Sequence, residues 1–421
     1  ALSLAVASVM LLGMMVVGSG ASYVDVSSED NVEAIEVLQA VGVMTGDDQG
    51  NFNPDQQVTR GEMAVIMTNL LDLGIGSYAG ASLPFTDVPD WAHAYVAAIY
   101  ANGVTGGTSA TTYGTDEPVT AVQAGLMMMK ALGYFQYSGD FNDNWILATV
   151  TQASRINLFD GLDVETEQAL TRNEVAQLAL NALEAGMVDF TGDLGLNVDM
   201  GNGQSVNAGY RSEYSYRTGT GDRYHALGDS KTDNGDYILQ LGEDLYSGDL
   251  EKTTDADDFN RPGTRWVYDN KEIGVYSEDP EGVFTAGVSP DEIYDLLGRT
   301  ISNYDLYVYV NGDGGKESDK DTYIKNGDTD DIAATGRGVL TQVYVTDVDE
   351  DDDDEIVITM INTYVAQVDG GYDEDDEELV LADVDGAVAI PAGVETTLSS
   401  DDFDNLDAYE DEDYVLITVV G

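Results

Sequence analysis

The chain has 421 residues, 43% of them hydrophobic, and a formal net charge of −62 from 79 Asp and Glu against 17 Lys and Arg. That length can bury the cores of two or three domains, and that charge makes nucleic acid and bare anionic bilayers poor partners. The absence of cysteine excludes disulfides, thiolate metal sites and cysteine nucleophiles, and the acid excess suits calcium loading or a salty medium that screens self-repulsion.

Residues 1–21 form an apolar segment without a charge up to Gly18, followed by Ser19-Gly20-Ala21-Ser22, small residues of the kind signal peptidase accepts. Two readings stand. One is a secretory signal cleaved after Ala21. The other is a retained apolar helix used in assembly, the one route by which a membrane becomes a partner.

Residues 22–191 repeat one plan three times. A Thr is followed three positions on by Glu or Gln at Thr59-Arg60-Gly61-Glu62, Thr120-Ala121-Val122-Gln123 and Thr171-Arg172-Asn173-Glu174. This spacing predicts a capping box, in which the hydroxyl accepts from an orphan amide and the longer side chain reaches back to the cap. Apolar residues then recur at helical spacing: Met63, Ile66, Met67, Leu70, Leu71; Ala124, Met127, Met128, Ala131, Leu132; and Val175, Leu178, Ala179, Ala182, Leu183. Upstream of each box an earlier helix is expected, over Val32–Val41, Trp91–Ala101 and Trp145–Ile156. The stops are Gly42, Gly103 and, in the degenerate third copy, Asn157. The first two copies open on Tyr23-Val24-Asp25-Val26 and Phe85-Thr86-Asp87-Val88. The copies divide as 22–76, 77–138 and 139–191.

Aromatic-x-Asp-Val, a helix, Gly42-Val43-Met44-Thr45-Gly46, a loop with Phe52-Asn53-Pro54, and then Thr-Arg-x-Glu together resemble the S-layer homology (SLH) repeat. The resemblance covers residues 22–190, under half the chain. It implies an all-α, pseudo-threefold spindle of three repeats that holds secondary cell-wall polysaccharide in the grooves between prongs. By that resemblance the wall-polymer-binding residues are Arg60 and Arg172, with Asp87 and Trp91, completed by Asp25, Gly46 and Gly106. The residue chemistry agrees: a carboxylate-bearing sugar needs a fork of donors, and a guanidinium in a first helical turn adds its charge to exposed amides. The competing reading makes each box a cap and each Arg a solvated side chain. The second copy has Ala121 where the others have Arg, so its groove lacks the guanidinium.

From about residue 192 the helical period gives way to short β-branched and Tyr-rich runs. Strands are expected over Tyr237–Leu241, Arg265–Tyr268, Tyr307–Val310, Val343–Val345, Ile356–Thr359 and Asp413–Val420, with a helix over Pro290–Leu297. The expected class is α+β and multidomain, with a β-rich region of one or two domains, 192–310 and 311–421. The acid run at 347–355 stands between two strands. A solvated turn that keeps strand edges apart is one reading; calcium held by Asp347, Asp349, Asp351 and Asp353 is the other, although Asp352 stands where an EF-hand requires Gly.

Catalysis has little to stand on. The two histidines, His93 and His225, have no Ser-centred elbow or metal-spaced partner, and neither a phosphate loop nor a dinucleotide fingerprint occurs. The expected function is therefore a non-enzymatic, extracellular surface-layer protein, anchored non-covalently to cell-wall polysaccharide and self-assembling through its β-rich region. The alternatives are a filament or tube subunit that assembles through its apolar helix and repeats, and a wall-anchored hydrolase.

Overall fold

The computed structural model describes residues 23–141, 144–199, 205–228, 230–298, 304–346, 354–400, 403 and 406–420. The protein is α+β. The described residues through Thr253, with Arg265–Val275, form one compact unit; Thr254–Thr264 and the described residues from Tyr276 onward form a second.

In the first unit the three copies give α1 (Val32–Ala40) and α2 (Arg60–Leu70), α3 (Asp90–Ala101) and α4 (Ala121–Ala131), and α5 (Trp145–Arg155) and α6 (Arg172–Glu184). The apolar face expected from spacing is the buried face: all fifteen residues named above are buried except Leu71 and Ala131, which are half-buried. Gly42, Gly103 and Asn157 each take the left-handed conformation, at φ 74°, 73° and 53°, and so stop the preceding helix.

The copies join through a closed ring of backbone hydrogen bonds at the residue before each Thr. The Val58 amide donates to the Leu170 carbonyl (2.9 Å), the Leu170 amide to the Val119 carbonyl (3.0 Å), and the Val119 amide to the Val58 carbonyl (2.9 Å). The next two amides of each helix also leave their own copy. Arg60 and Gly61 donate to Glu117 and Thr115, Ala121 and Val122 to Gln168 and Thr166, and Arg172 and Asn173 to Gln56 and Pro54. Helix-start donors that would otherwise be orphaned are thereby satisfied by a neighbouring copy.

Two of the three expected capping boxes form. Thr59 accepts from the Glu62 amide (3.2 Å) while Glu62 accepts from the Thr59 amide (2.8 Å), and Thr171 with Glu174 does the same at 3.3 and 2.7 Å. Thr120 caps nothing with its side chain. Its expected partner Gln123 turns away and accepts from the Arg60 guanidinium at 3.0 Å. A charged donor outcompetes a neutral amide for that oxygen.

After α6 the chain forms a two-stranded ribbon of β1 (Val188–Asp199) and β2 (Ser205–Tyr216), so strand structure begins four residues before the expected change at 192. Short strands β3 (Thr218–Gly219) and β4 (Tyr237–Ile238) pair with each other. The strand expected over Tyr237–Leu241 is cut to its first two residues, because α7 (Leu241–Tyr246) starts there. A three-stranded sheet follows, β5 (Leu250–Ala256), β6 (Pro262–Tyr268) and β7 (Lys271–Ser277), whose residues are shared between the two units.

The second unit is organised by one long strand. Its elements run β8 (Gly282–Phe284), α8 (Pro290–Leu297), β9 (Tyr304–Val310), β10 (Asp313–Glu317), α9 (Lys320–Tyr323), β11 (Val339–Thr346), β12 (Asp354–Asp373), β13 (Glu378–Asp383), β14 (Thr397–Ser399) and β15 (Tyr414–Thr418). The first half of β12 lies between β9, parallel, and β11, antiparallel; its second half lies between β13 and β15, both antiparallel. Each half has its own core. One gathers Val288, Ile293, Leu306, Val343, Ile356 and Ile358; the other gathers Ala366, Val368, Leu379, Leu381 and Leu406. Helix α8 matches its expected bounds because Ser289, Pro290 and Glu292 write a complete start signal: the Ser289 hydroxyl accepts from the Glu292 amide, and Glu292 from the Ser289 amide. Residue 311 falls in the turn joining β9 to β10, two paired strands of one sheet.

The cap geometry yields a differential expectation. Thr59→Ala and Thr171→Ala should each lower unfolding stability by about 1 kcal/mol, and Thr120→Ala by only a few tenths. Urea unfolding of the three variants measures this, and equal losses at all three positions would contradict the two-box assignment.

Candidate wall-polymer site between the repeats

The helix starts carry their second residues into the loop of the neighbouring copy. Arg60, only 6% exposed, donates through Nε to the Tyr113 carbonyl, through Nη2 to the Gly106 carbonyl and through Nη1 to Gln123, each at 3.0 Å. Its guanidinium lies over the Tyr113 ring, 4.8 Å from the centroid. Arg172 repeats the arrangement at another junction. Its Nε donates to the Phe52 carbonyl (2.6 Å) and its Nη2 to the Thr45 carbonyl (2.9 Å), with the Phe52 ring 4.6 Å from the guanidinium carbon. Cation–π contact and two carbonyl acceptors fix each fork.

The loops that receive these arginines are shaped by the aspartates of the Asp-Val motifs. Asp25 accepts from the Phe52 and Asn53 amides, both at 2.7 Å; Asp87 accepts from the Tyr113 and Gly114 amides, also at 2.7 Å. Asn53 and Gly114 both have positive φ, 59° and 77°, so the two loops turn alike. Desolvation works against the Asp87 carboxylate, yet the amides of Tyr113 and Gly114 outweigh it and hold its pKa below the usual carboxylate range. In the first loop Asp47 is held at about 2 by the amide and side chain of Asn51 and by the Gln49 amide.

Gly46 is fixed by contact: its amide donates to the Tyr23 hydroxyl at 2.7 Å, and a Cβ there would stand 2.2 Å from the Tyr23 ring. In the second copy this role falls to Gly107, where a Cβ would stand 2.4 Å from the Phe85 ring, whereas a Cβ on Gly106 would meet nothing. Gly106 supplies instead the carbonyl that Arg60 grips. Trp91 is 51% exposed on α3, beside the start of α2, where a Cβ on Gly61 would stand 2.9 Å from its ring.

The seven expected residues therefore fall into two matching junctions. One joins Arg60 to Asp87, Trp91 and Gly106, and the other joins Arg172 to Asp25 and Gly46. Phe52 and Tyr113, the faces beneath the guanidinia, and Gln123, the acceptor for Arg60, were missing from the expected set; the Phe-x-Pro run was the signal for Phe52. The forks differ in what remains. Among the described residues the Arg172 Nη1 group has no hydrogen-bond partner, while that of Arg60 is taken by Gln123. Burial pulls the Arg172 pKa down, opposed by the charges of Glu62, Tyr23, Asp25 and Asp47.

Asp347, Asp349, Asp351 and Asp353, and the apolar residues 1–21, lie outside the described residues. Among the described residues no group of three or more His, Cys, Asp or Glu is placed to hold a metal ion, and no helix is long and apolar enough to cross a membrane.

The depressed aspartates predict an acid dependence. Folded-state pKa values below the unfolded 3.8 mean stability that is present above about pH 4 and lost as pH falls toward 2. Asp47→Asn and Asp87→Asn should each flatten the fall in melting temperature between about pH 4 and pH 2, and a limb as steep as that of the unmodified chain would refute the loop assignment.

Residues 22–64 and 84–120, in the first two copies, match the S-layer homology domain family. The surface-layer 125 kDa protein of Lysinibacillus sphaericus is 34% identical over 110 residues, 26% of this chain and 9% of that protein. The middle cell wall protein of Brevibacillus brevis is 25% identical over 163 residues, 38% of this chain and 15% of its own length. An endoglucanase of a Bacillus species is 27% identical over 125 residues, 28% of this chain and 13% of the enzyme. The matched stretches thus span 9% to 15% of the length of these relatives. With the paired Asp-Val and Thr-Arg-x-Glu junctions, these matches make the first two copies S-layer homology domains, of the kind carried by extracellular, cell-wall-associated surface-layer proteins.

Proposed function

We propose that residues 22–191 close as a three-repeat, pseudo-threefold SLH spindle that anchors the protein non-covalently to a secondary cell-wall polysaccharide, while the β-rich remainder self-assembles. The protein then acts as structure and not as an enzyme; the endoglucanase likeness covers too little of that enzyme to carry its activity across. The observation that carries the reading is the Arg172 fork. Two of its donors hold the loop rigid, and the third group is left for an oxygen of the polymer above the Phe52 face.

A bidentate carboxylate or a vicinal pair of hydroxyls suits a planar fork held in place beforehand, since the ordering entropy is spent on folding. Asp25 and Asp47 do not compete for that fork as free anions, because both are occupied by loop amides. The Arg60 junction has the same walls, with Trp91 at its mouth, but Gln123 already fills the acceptor position. The two junctions then have unequal roles: Arg172 binds, and Arg60 chiefly holds the second loop.

Pelleting of the full chain with purified cell wall tests this. Arg172→Ala should weaken binding about tenfold or more, and Arg172→Lys should not restore it, because a point charge cannot replace a fork. Arg60→Ala should cost stability before it costs binding. An unmodified chain that stays in the supernatant would refute the anchoring.

A further inference from the structure

A ring of three copies made from one chain has one junction that no direct peptide link closes. Copy one runs into copy two and copy two into copy three, whereas copy three meets copy one through non-covalent contacts alone. Arg172 lies at that junction. Its amide donates to the Gln56 carbonyl, its Nε to Phe52 and its Nη2 to Thr45, while the neighbouring Asn173 accepts through Oδ1 from the Asn31 amide at 2.8 Å. A linked pair of copies that opens stays tethered and gains little freedom, so the unlinked junction is where the ring opens most readily.

Two strands from beyond the repeats bridge that junction. Trp266 on β6 is fully buried, and its Nε1 donates at 2.5 Å to the carboxylate of Glu33, in the first turn of α1. Lys252 on β5 pairs with Glu184, the last residue of α6, at 2.6 Å, and its Nζ stands 5.5 Å from the centre of the Trp266 ring. Glu33, Trp266, Lys252 and Glu184 thus make a continuous path from copy one to copy three, through adjacent strands of one sheet and within the first unit. Each link has a physical cause. A buried indole N–H needs an acceptor, and a carboxylate supplies a charge-assisted one. A carboxylate at a helix C-terminus meets the negative end of the dipole, and an ammonium group offsets that repulsion. The partners are 233 and 68 residues apart in sequence, so no local propensity brings them together.

We propose that β5 and β6 form a strap across the junction of copies one and three, and that Trp266 and Lys252 are positioning residues for the Arg172 fork, a role that rests on Arg172 as the polymer site. The strap keeps the Phe52 loop of copy one beneath the guanidinium of copy three. Without it the binding-competent junction is populated for only part of the time, and apparent affinity falls by that fraction. The anchoring unit then runs to Val275 and does not end with the third repeat.

Amide hydrogen exchange on the full chain tests the strap without any polymer. In Trp266→Phe, which keeps an aromatic ring but removes the donor, and in Lys252→Met, the amides of Val58, Arg172 and Asn173 should exchange about tenfold or more faster. Those of Arg60, Gly61, Ala121 and Val122, at the two linked junctions, should keep their rates. A general loss of stability would accelerate all three junctions alike; that result, or unchanged exchange in both variants, would overturn the inference. Wall pelleting supplies the second readout. Each strap variant should bind about threefold or more weakly, and should cost nothing further in a chain that already carries Arg172→Ala. Additive losses in that background would refute the positioning role. An unmodified chain that does not pellet would overturn the positioning role together with the polymer site, whereas exchange confined to the one junction would still establish the strap.

Discussion

The closed exchange of backbone hydrogen bonds among Val58, Leu170 and Val119 is the constraint from which the helical unit follows. Three bonds at about 1 kcal/mol each cannot hold three repeats together. The buried faces of α2, α4 and α6 do that, at about 1.5 to 3 kcal/mol for each large apolar side chain. What the ring supplies is register. Apolar faces slide at little cost, whereas a displaced donor and acceptor pair leaves two groups unsatisfied. Once the three residues are paired, the first turns of the helices are aimed outward from the ring at the loops of their neighbours, and residues 60 and 172 arrive where a fork of donors meets carbonyls.

From that placement the two arginine junctions acquire their differences. In each, the side chain three residues after the neighbouring copy's Thr bears on the guanidinium: Gln123 accepts from Arg60, and the charge of Glu62 acts on Arg172 without an ion-pair contact. Gln123 leaves its own cap and accepts from Arg60. Glu62 stays in the Thr59 box, accepting from the Thr59 amide and hydroxyl, and acts on Arg172 through its charge alone. One choice removes a cap and satisfies a fork; the other keeps the cap and leaves the fork with a free group. Cap and fork are thus coupled, and a sequence that writes the cap three times does not say which of the two wins.

That coupling marks the limit of what could be read from sequence. Helices were legible because their signals are local: a cap, a 3.6-residue apolar period, and a Gly or Asn able to take positive φ. The strands over Arg265–Tyr268, Tyr307–Val310 and Ile356–Thr359 were legible as runs of β-branched and aromatic residues, although nothing in Asp354–Asp373 announces a single strand serving two cores. The Arg and Asp residues were legible by kind, but their partners lie 26 to 127 residues away, beyond any local pattern. Gly106 was paired with Gly46 because both stand in like loops; contact with Phe85 gives that role to Gly107, which only the ring position against Tyr23 and Phe85 distinguishes. Tyr237–Leu241 read as a strand because its alternation is sound; Leu241 opens a helix that Gln240 caps, and Leu239 leaves the β3 ladder to bond with Met187 and Arg217.

The third junction bears on what the arginines are for. There Ala121 is buried, and the Ala121 and Val122 amides still reach Gln168 and Thr166, so the ring closes as it does elsewhere. Seven residues before Thr171 stands Val164, where the other copies have Phe52 and Tyr113; guanidinium and aromatic face are missing together. Phe159 occupies the neighbourhood of α4 instead, placed so that a methyl group on Gly125 would stand 2.7 Å from its ring. Closure therefore does not require a fork. A guanidinium in such a junction is partly desolvated, at a cost visible in the lowered pKa of Arg172. At the Arg60 junction three acceptors offset that cost. At the Arg172 junction only two do, and the remaining Nη1 group, which is not buried, keeps its donors for solvent.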